Sequence, residues 1–127
     1  KNTILQRKMY DWKAQENGLE NFTSPADMAS LLQIFLSSER LSASSKAGII
    51  GILNKQRIRH KLPALSPPGT LWALKSGELP GVEHDVGILS MGDEQLIVTV
   101  LTKSLQTNED GIRLIGEIGR AVTLATL

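Results

Sequence analysis

The sequence contains no cysteine, and only 2 of its 127 residues are histidines. The absence of cysteine excludes disulfide bonds, thiolate zinc sites and cysteine nucleophiles. It leaves the cellular compartment open, because secreted bacterial proteins often lack cysteine as well. Two histidines are too few for a histidine-rich metal site, so we expect the chain to use neither a metal nor another cofactor.

The sequence also lacks an excess of charge and long apolar runs. It has 14 Lys and Arg residues against 13 Asp and Glu residues, and a net charge of +1 disfavours nucleic acid as the main partner. Apolar runs such as Leu96 to Leu101 are far shorter than the roughly 20 residues of a membrane-spanning helix. A hydrophobic content of 41% with 21% charged residues is typical of a folded globular domain.

The start of the chain has the spacing of a helix. Its apolar residues have the spacing of one helix face: Ile4, Leu5, Met9 and Trp12. This pattern predicts a first helix that ends near Gly18. Because the pattern begins so close to Lys1, we expect Lys1 to be a cut end with further sequence upstream.

Two more helices are predicted from capping signals in residues 1–56. Ser24 is suited to cap a helix, Pro25 has the φ angle of a first turn, and Asp27 places negative charge near free N–H groups. Apolar residues follow on one stripe, and we expect them in the core: Met28, Leu31, Leu32, Phe35 and Leu36. Ser42 is suited to cap a second helix that ends near Asn54.

Residues 57–69 predict an irregular segment that connects the helical part to the rest of the chain. Three prolines and Gly69 remove hydrogen-bond donors and interrupt any periodic pattern. The basic residues Arg57, Arg59, His60 and Lys61 are expected to lie on a solvated loop. We expect Trp12 and Trp72 to be core or interface residues rather than platforms on which a ligand stacks.

Residues 70–127 predict a sheet followed by a helix. Three β-compatible runs form an antiparallel meander: Thr70–Ser76, Val82–Met91 and Gln95–Thr102. Asn108 is suited to cap a last helix, which directs four apolar residues toward a core: Ile112, Ile115, Ile118 and Val122. Three glycines in this helix permit close packing on the sheet: Gly111, Gly116 and Gly119. The predicted class is α+β within one partial domain.

The candidate substrate-binding residues lie where the first predicted strand ends. Lys75, Ser76 and Gly77 offer a cation, a hydroxyl donor and an open backbone, which suit an acyl substrate that carries a carboxylate. The same tripeptide is also typical of an ordinary exposed strand end. On the next strand, His84 and Asp85 are neighbours and should point to opposite faces.

Five stretches, in order, resemble the C-terminal half of the class A β-lactamases and related penicillin-recognising serine hydrolases. They are Phe22–Ala29, Leu41–Ser45, Ile58–Pro63, Lys75–Gly77 and His84–Leu89. The family signatures are Ser-x-x-Lys, Ser-Asp-Asn and Lys-Thr-Gly, and only the last has a counterpart here, as Lys75-Ser76-Gly77. No Lys has Ser three residues before it, and no Ser precedes an Asn by two residues. The nucleophile is therefore expected upstream, and this chain alone is expected to be inactive.

The resemblance implies a role for each residue of the site. Lys75 would bind the substrate carboxylate and influence proton transfers near the nucleophile, while Ser76 would donate a hydrogen bond to that carboxylate. Gly77 would let the substrate lie along the strand, and the backbone N–H of Glu78 would form half of the oxyanion hole. Two departures stand out, because the Glu78 side chain adds a negative charge, and His84 stands near where many members use an arginine.

The same resemblance implies an extracytoplasmic bacterial enzyme, secreted, periplasmic or surface-anchored, acting on β-lactams or on peptidoglycan-like peptides. The alternatives are a peptidoglycan D,D-peptidase relative and a non-catalytic sensor or interaction module. In the family fold, two further strands come from the N-terminal end, so the Gln95–Thr102 strand is expected to have an open edge. Such an edge predicts pairing with the missing half or with a second copy, and a clean monomer at high concentration would argue against it.

Overall fold

The computed structural model describes residues 1–126. It contains four helices and three strands, in this order: α1 (Trp12–Glu16), α2 (Pro25–Ser37), α3 (Ala43–Asn54), β1 (Leu71–Leu79), β2 (Val82–Met91), β3 (Glu94–Leu101) and α4 (Asn108–Ala125). The predicted α+β arrangement is confirmed, with β1 running three residues beyond the predicted Ser76.

The three strands form one antiparallel sheet in the order β1-β2-β3. In the register of β1 with β2, Ser76 pairs with Asp85 and Gly77 pairs with His84. The β2–β3 turn contains Gly92, whose φ of +60° is in the left-handed region that favours glycine. The sheet therefore has two outer strands, β1 and β3, and the predicted association through β3 stays a prediction.

Helices cover both faces of the sheet, because each face of the central strand carries apolar side chains. On one face, α2 and α3 pack around four buried residues: Leu32, Ala73, Val86 and Ile88. On the other face, beside α4 and the connecting segment, the core consists of Leu62, Trp72, Leu74, Leu89, Val98 and Ile115. Burial of this apolar surface is the main force that holds the helices to the sheet.

The predicted helix caps are confirmed, with one shift. The hydroxyls of Ser24 and Ser42 accept the N–H groups of Asp27 and Ser45, each three residues further on. Helix α4 is capped by Thr107 rather than Asn108, because Thr107 Oγ1 accepts the N–H of Asp110 at 3.3 Å. Because Thr107 caps the helix, the side chain of Asn108 is available to contact the β1–β2 hairpin, where it donates to Leu79 and Glu83.

The prediction of a first helix beginning near Ile4 was wrong. Ile4 forms a backbone bridge with Phe22, and the side chain of Asn21 accepts the N–H groups of Gln6 and Arg7. These contacts link residues 14 to 18 positions apart, and they override the local helical spacing. Only the last part of the predicted helix forms, as the five residues of α1.

The two tryptophans have different environments. Trp72 is buried in the core beneath α4, as predicted, and its indole N–H donates to Ser66 Oγ at 3.1 Å. Trp12 is 59% exposed and contacts Tyr10 edge to face. Within residues 1–126, no helix has both the length and the apolar character needed to cross a membrane.

Candidate active site

Lys75 lies on the outer strand β1, with its side chain exposed. It pairs with Val86, which belongs to the core beneath α2 and α3. The side chain of Lys75 therefore lies on the same face of the sheet as α2 and α3. Its ammonium donates to the carbonyl oxygen of Ser76. A solvent-accessible cation on an outer strand can meet an anionic ligand without displacing any core residue.

Ser76 points to the opposite face, where it is buried. Its hydroxyl donates to Oδ1 of Asp85 at 3.1 Å, and Oδ2 of the same carboxylate accepts the N–H of Leu62 at 3.1 Å. Burial raises the pKa of Asp85, although these hydrogen bonds favour its charged form. This carboxylate therefore connects the tripeptide to the segment that crosses beneath the sheet.

Gly77 and His84 pair across β1 and β2 on the same face as Lys75. A Cβ atom at Gly77 would lie 3.8 Å from Cβ of His84, so the imidazole stands directly beside the glycine. Nδ1 of His84 lies 3.1 Å from the backbone N of Thr102 and 2.8 Å from the carbonyl oxygen of Glu83. These contacts anchor the ring at Nδ1.

The side chain of Glu78 extends to the α4 face, away from Lys75. Its Oε2 atom lies 3.8 Å from the ammonium of Lys61. The additional negative charge noted in the sequence is thus on the other side of the strand from the exposed cation, and it has a positive neighbour of its own. This arrangement weakens the repulsion expected for a carboxylate bound at Lys75.

The prediction that Lys61 lies on a solvated loop was wrong. It is fully buried, and its Nζ atom lies 2.5 Å from Oε2 of Glu83. The same ammonium donates to the carbonyl oxygens of Gly77 at 3.2 Å and His84 at 3.3 Å. His60, by contrast, is exposed as predicted.

Glu83 is held from a second side by α4. Nδ2 of Asn108 donates to Oε1 of Glu83 at 2.7 Å and to the carbonyl oxygen of Leu79 at 2.9 Å. Burial alone would raise the pKa of Glu83, but the hydrogen bonds from Lys61 and Asn108 outweigh burial and lower it. A buried, ionised pair therefore lies directly behind the strand that carries the tripeptide.

A signal for this pair exists in the sequence. Glu83 and Asp85 are two residues apart on a central strand, so both face the layer of α4. Two acidic side chains on a covered face require buried partners, and a cation is the expected one. The pattern does not reveal that Lys61 rather than another basic residue supplies that charge.

At neutral pH, Asp85→Asn is expected to leave the free energy of unfolding unchanged or to raise it by up to about 1 kcal/mol. The amide can still accept from Leu62 and can donate to Ser76, while the cost of the buried charge disappears. Asp85→Ala loses both hydrogen bonds and is expected to cost about 2–4 kcal/mol.

The pH dependence of this comparison has a definite sign. Because the folded pKa of Asp85 is raised, its ionisation costs stability above that pKa. The cost vanishes as the pH falls toward the unfolded value of about 4, so the advantage of Asp85→Asn should shrink on acidification. Urea unfolding at several pH values measures this difference, and an advantage that grows as the pH falls would contradict it.

Comparison with known proteins places this geometry in a family. The sequence profile of the beta-lactamase enzyme family matches residues 1–125. A beta-lactamase from Sphaerobacter thermophilus is 32% identical with a TM-score of 0.78, over 87% of this chain and 43% of that one. A variant of PBP-A, solved as an acyl-enzyme complex with penicillin G, is 28% identical with a TM-score of 0.84, over 99% of this chain and 46% of that one.

A beta-lactamase from Burkholderia vietnamiensis shares the fold at 22% identity, with a TM-score of 0.79 over 97% of this chain and 47% of that one. No curated protein sequence matches the chain. The chain spans less than half the length of each of these three solved structures. The profile match over nearly every residue and the shared fold confirm the resemblance, and the chain belongs to the beta-lactamase enzyme family.

Proposed function

We propose that this chain is the C-terminal part of a serine hydrolase that acylates a serine upstream of Lys1 with a β-lactam and then hydrolyses the acyl-enzyme. The observation that carries the proposal is the outer edge of β1, where the exposed Lys75 lies three residues before Glu78. One edge of this strand is free of other strands among residues 1–126, so an extended substrate can lie along it. Family membership supplies the reaction class.

In the proposed acylation, the ammonium of Lys75 binds the substrate carboxylate and orients the lactam carbonyl toward the serine. The serine oxygen forms a bond to the carbonyl carbon as its proton passes to a base that is proposed to lie upstream of this chain, and negative charge develops on the carbonyl oxygen. The N–H of Glu78 donates to that oxygen and stabilises the charge. Collapse of the adduct breaks the lactam C–N bond, and the nitrogen takes a proton.

Deacylation uses the same donor. Water adds to the ester carbonyl, the N–H of Glu78 again stabilises the charge on the oxygen, and the serine leaves with a proton. The two steps together consume one β-lactam and one water and release the ring-opened acid. The base that activates the water, like the nucleophile, is proposed to lie upstream of this chain.

The remaining site residues have more specific proposed roles. Gly77 keeps the strand open to the substrate, and Nε2 of His84 faces the bound ligand, in the place where many members use an arginine. The hydroxyl of Ser76 is engaged with Asp85 on the other face, so a direct contact of Ser76 with the substrate carboxylate stays a prediction. Action outside the cytoplasm of a bacterium is likewise part of the proposal.

A fluorescent penicillin tests the reaction class. We expect the full-length gene product, meaning the complete polypeptide whose gene encodes these residues, to retain the label after denaturing electrophoresis. Excess unlabelled penicillin G should block labelling. A label that is lost over time after removal of free drug indicates a hydrolase, and one that persists indicates a D,D-peptidase relative. A protein that is never labelled, even when quenched within seconds of mixing, and that hydrolyses no penicillin would contradict the proposal and favour a non-catalytic module.

A further inference from the structure

We propose that Lys61 is a positioning residue that orients and polarises the N–H of Glu78, the oxyanion donor of the proposed reaction. The ammonium of Lys61 donates to the carbonyl oxygen of Gly77 at 3.2 Å. That carbonyl and the Glu78 N–H belong to one planar peptide group and point in opposite directions. A donor that fixes the carbonyl from behind the strand therefore fixes the direction of the N–H at the free edge. This inference rests on the proposed function.

The ammonium is itself held in place. It is buried, it forms an ion pair with Oε2 of Glu83, and it donates hydrogen bonds to the carbonyl oxygens of Gly77 and His84. Asn108 holds Glu83 from α4, and the residue after Lys61 donates its backbone N–H to Asp85. Lys61, which belongs to the connecting segment of residues 57–69, is thus linked to β2 and, through Glu83, to α4. Its hydrogen bond to Gly77 links the peptide between Gly77 and Glu78 to the same elements.

The charge of Lys61 adds a second effect. A cationic donor on a carbonyl draws electron density toward the oxygen and makes the N–H of the same peptide a stronger donor. Because Glu83 neutralises Lys61, the pair has little field at long range, and the effect is confined to the groups that it touches. The peptide between Gly77 and Glu78 is one of those groups.

A single change at Lys61 would leave the buried carboxylate of Glu83 without its partner and would risk unfolding. The informative variant is the double change Lys61→Met with Glu83→Met, which replaces the ion pair by apolar side chains of similar length. Exchanges of this kind are often neutral or stabilising. Ile115→Val is a control, because it removes one methyl group from the core beneath α4 and leaves both charged side chains in place.

The test is the rate of acylation of the full-length gene product by penicillin G, resolved into a binding constant and a rate constant. The rate constant is taken from the first turnover after rapid mixing and is normalised to the sites acylated in that turnover, so later hydrolysis and unfolded protein do not count. We expect the double variant to lose roughly tenfold in the acylation rate constant, less than the 10²–10³ typical for removal of an oxyanion donor, with the binding constant nearly unchanged. Ile115→Val should keep both constants.

The outcomes separate this inference from the proposed function. If penicillin G acylates the wild type and the double variant equally fast, Lys61 is not a positioning residue and the proposed function stands. If the double variant loses affinity but keeps its rate constant, the pair acts on binding and the inference is again overturned. If the wild type is never acylated, both fall. Should the double variant not fold, Lys61→Arg replaces it. Arginine keeps the charge but places its donors differently from an ammonium, so we expect a slower acylation rate constant, and a rate constant equal to that of the wild type would overturn the inference.

Discussion

Gly119→Ala is expected to destabilise the protein by at least about 3 kcal/mol, one of the two largest effects that we anticipate. A Cβ atom at this position would lie 1.9 Å from the carbonyl oxygen of Leu62 and 2.7 Å from its carbonyl carbon. These are backbone atoms, so no rotation of a side chain relieves the overlap. Helix α4 would have to move away from the connecting segment, residues 57–69.

Movement of Leu62 is costly because it is fixed on both sides. Its side chain is fully buried in the core beneath α4, and its N–H donates to Asp85. A displaced helix would also weaken the hydrogen bond from Asn108 to Glu83. Gly119→Ala is therefore expected to disturb the buried ion pair as well as the core.

Gly116→Ala is the matched control, one turn earlier on the same helix. A Cβ atom there would lie 3.6 Å from the carbonyl oxygen of Lys61, which is an ordinary contact. Because alanine favours a helix over glycine by about 0.5–1 kcal/mol, this variant should be neutral or more stable. Urea unfolding of the two variants compares them directly. Equal loss of stability in both would contradict the close packing at Gly119.

Lys75→Ala is expected to slow acylation by penicillin G by roughly 100-fold, measured as the second-order rate constant on the full-length gene product. The variant removes the exposed cation proposed to bind the substrate carboxylate, and a charge-assisted hydrogen bond of this kind accounts for about 2–3 kcal/mol. Most of the loss should appear as weaker binding, since the N–H of Glu78 remains in place.

Lys103→Ala is the control for this change. Lys103 is also exposed, but it follows β3, and β2 separates that strand from β1. Both variants remove one positive charge from the surface, so a general effect of net charge would slow both. An unchanged rate for Lys75→Ala, or an equal loss in the two variants, would contradict the role assigned to Lys75.

Features with local causes were predictable from the sequence. Ser24 and Ser42 form the expected caps, because a cap depends on residues only three positions apart. The three strands were also predicted, since alternation can be read along the chain. The glycines of α4 were expected to pack on the sheet, but Gly116 and Gly119 pack against residues 61–65 of the connecting segment instead. The last strand, β3, begins and ends one residue earlier than predicted.

Features that depend on distant partners were not predictable. The start of the chain has helical spacing, but Ile4, Gln6 and Arg7 pair with Asn21 and Phe22 instead. Lys61 lies in a basic run that is typical of a solvated loop, yet its charge meets a carboxylate 22 positions later. The tripeptide itself was identified from its sequence, but the partners of Ser76 and Glu78 on the opposite face, Asp85 and Lys61, come from other parts of the chain and only the structure shows them.

The most direct test of the proposed site is a crystal structure of the full-length gene product after reaction with penicillin G. We expect the carbonyl oxygen of the serine-bound acyl group about 2.7–3.1 Å from the backbone N of Glu78, with the drug's carboxylate in hydrogen-bonding contact with Nζ of Lys75. An acyl group whose carbonyl oxygen is held by other donors, or a carboxylate bound away from Lys75, would contradict the assignment of this strand as the substrate site.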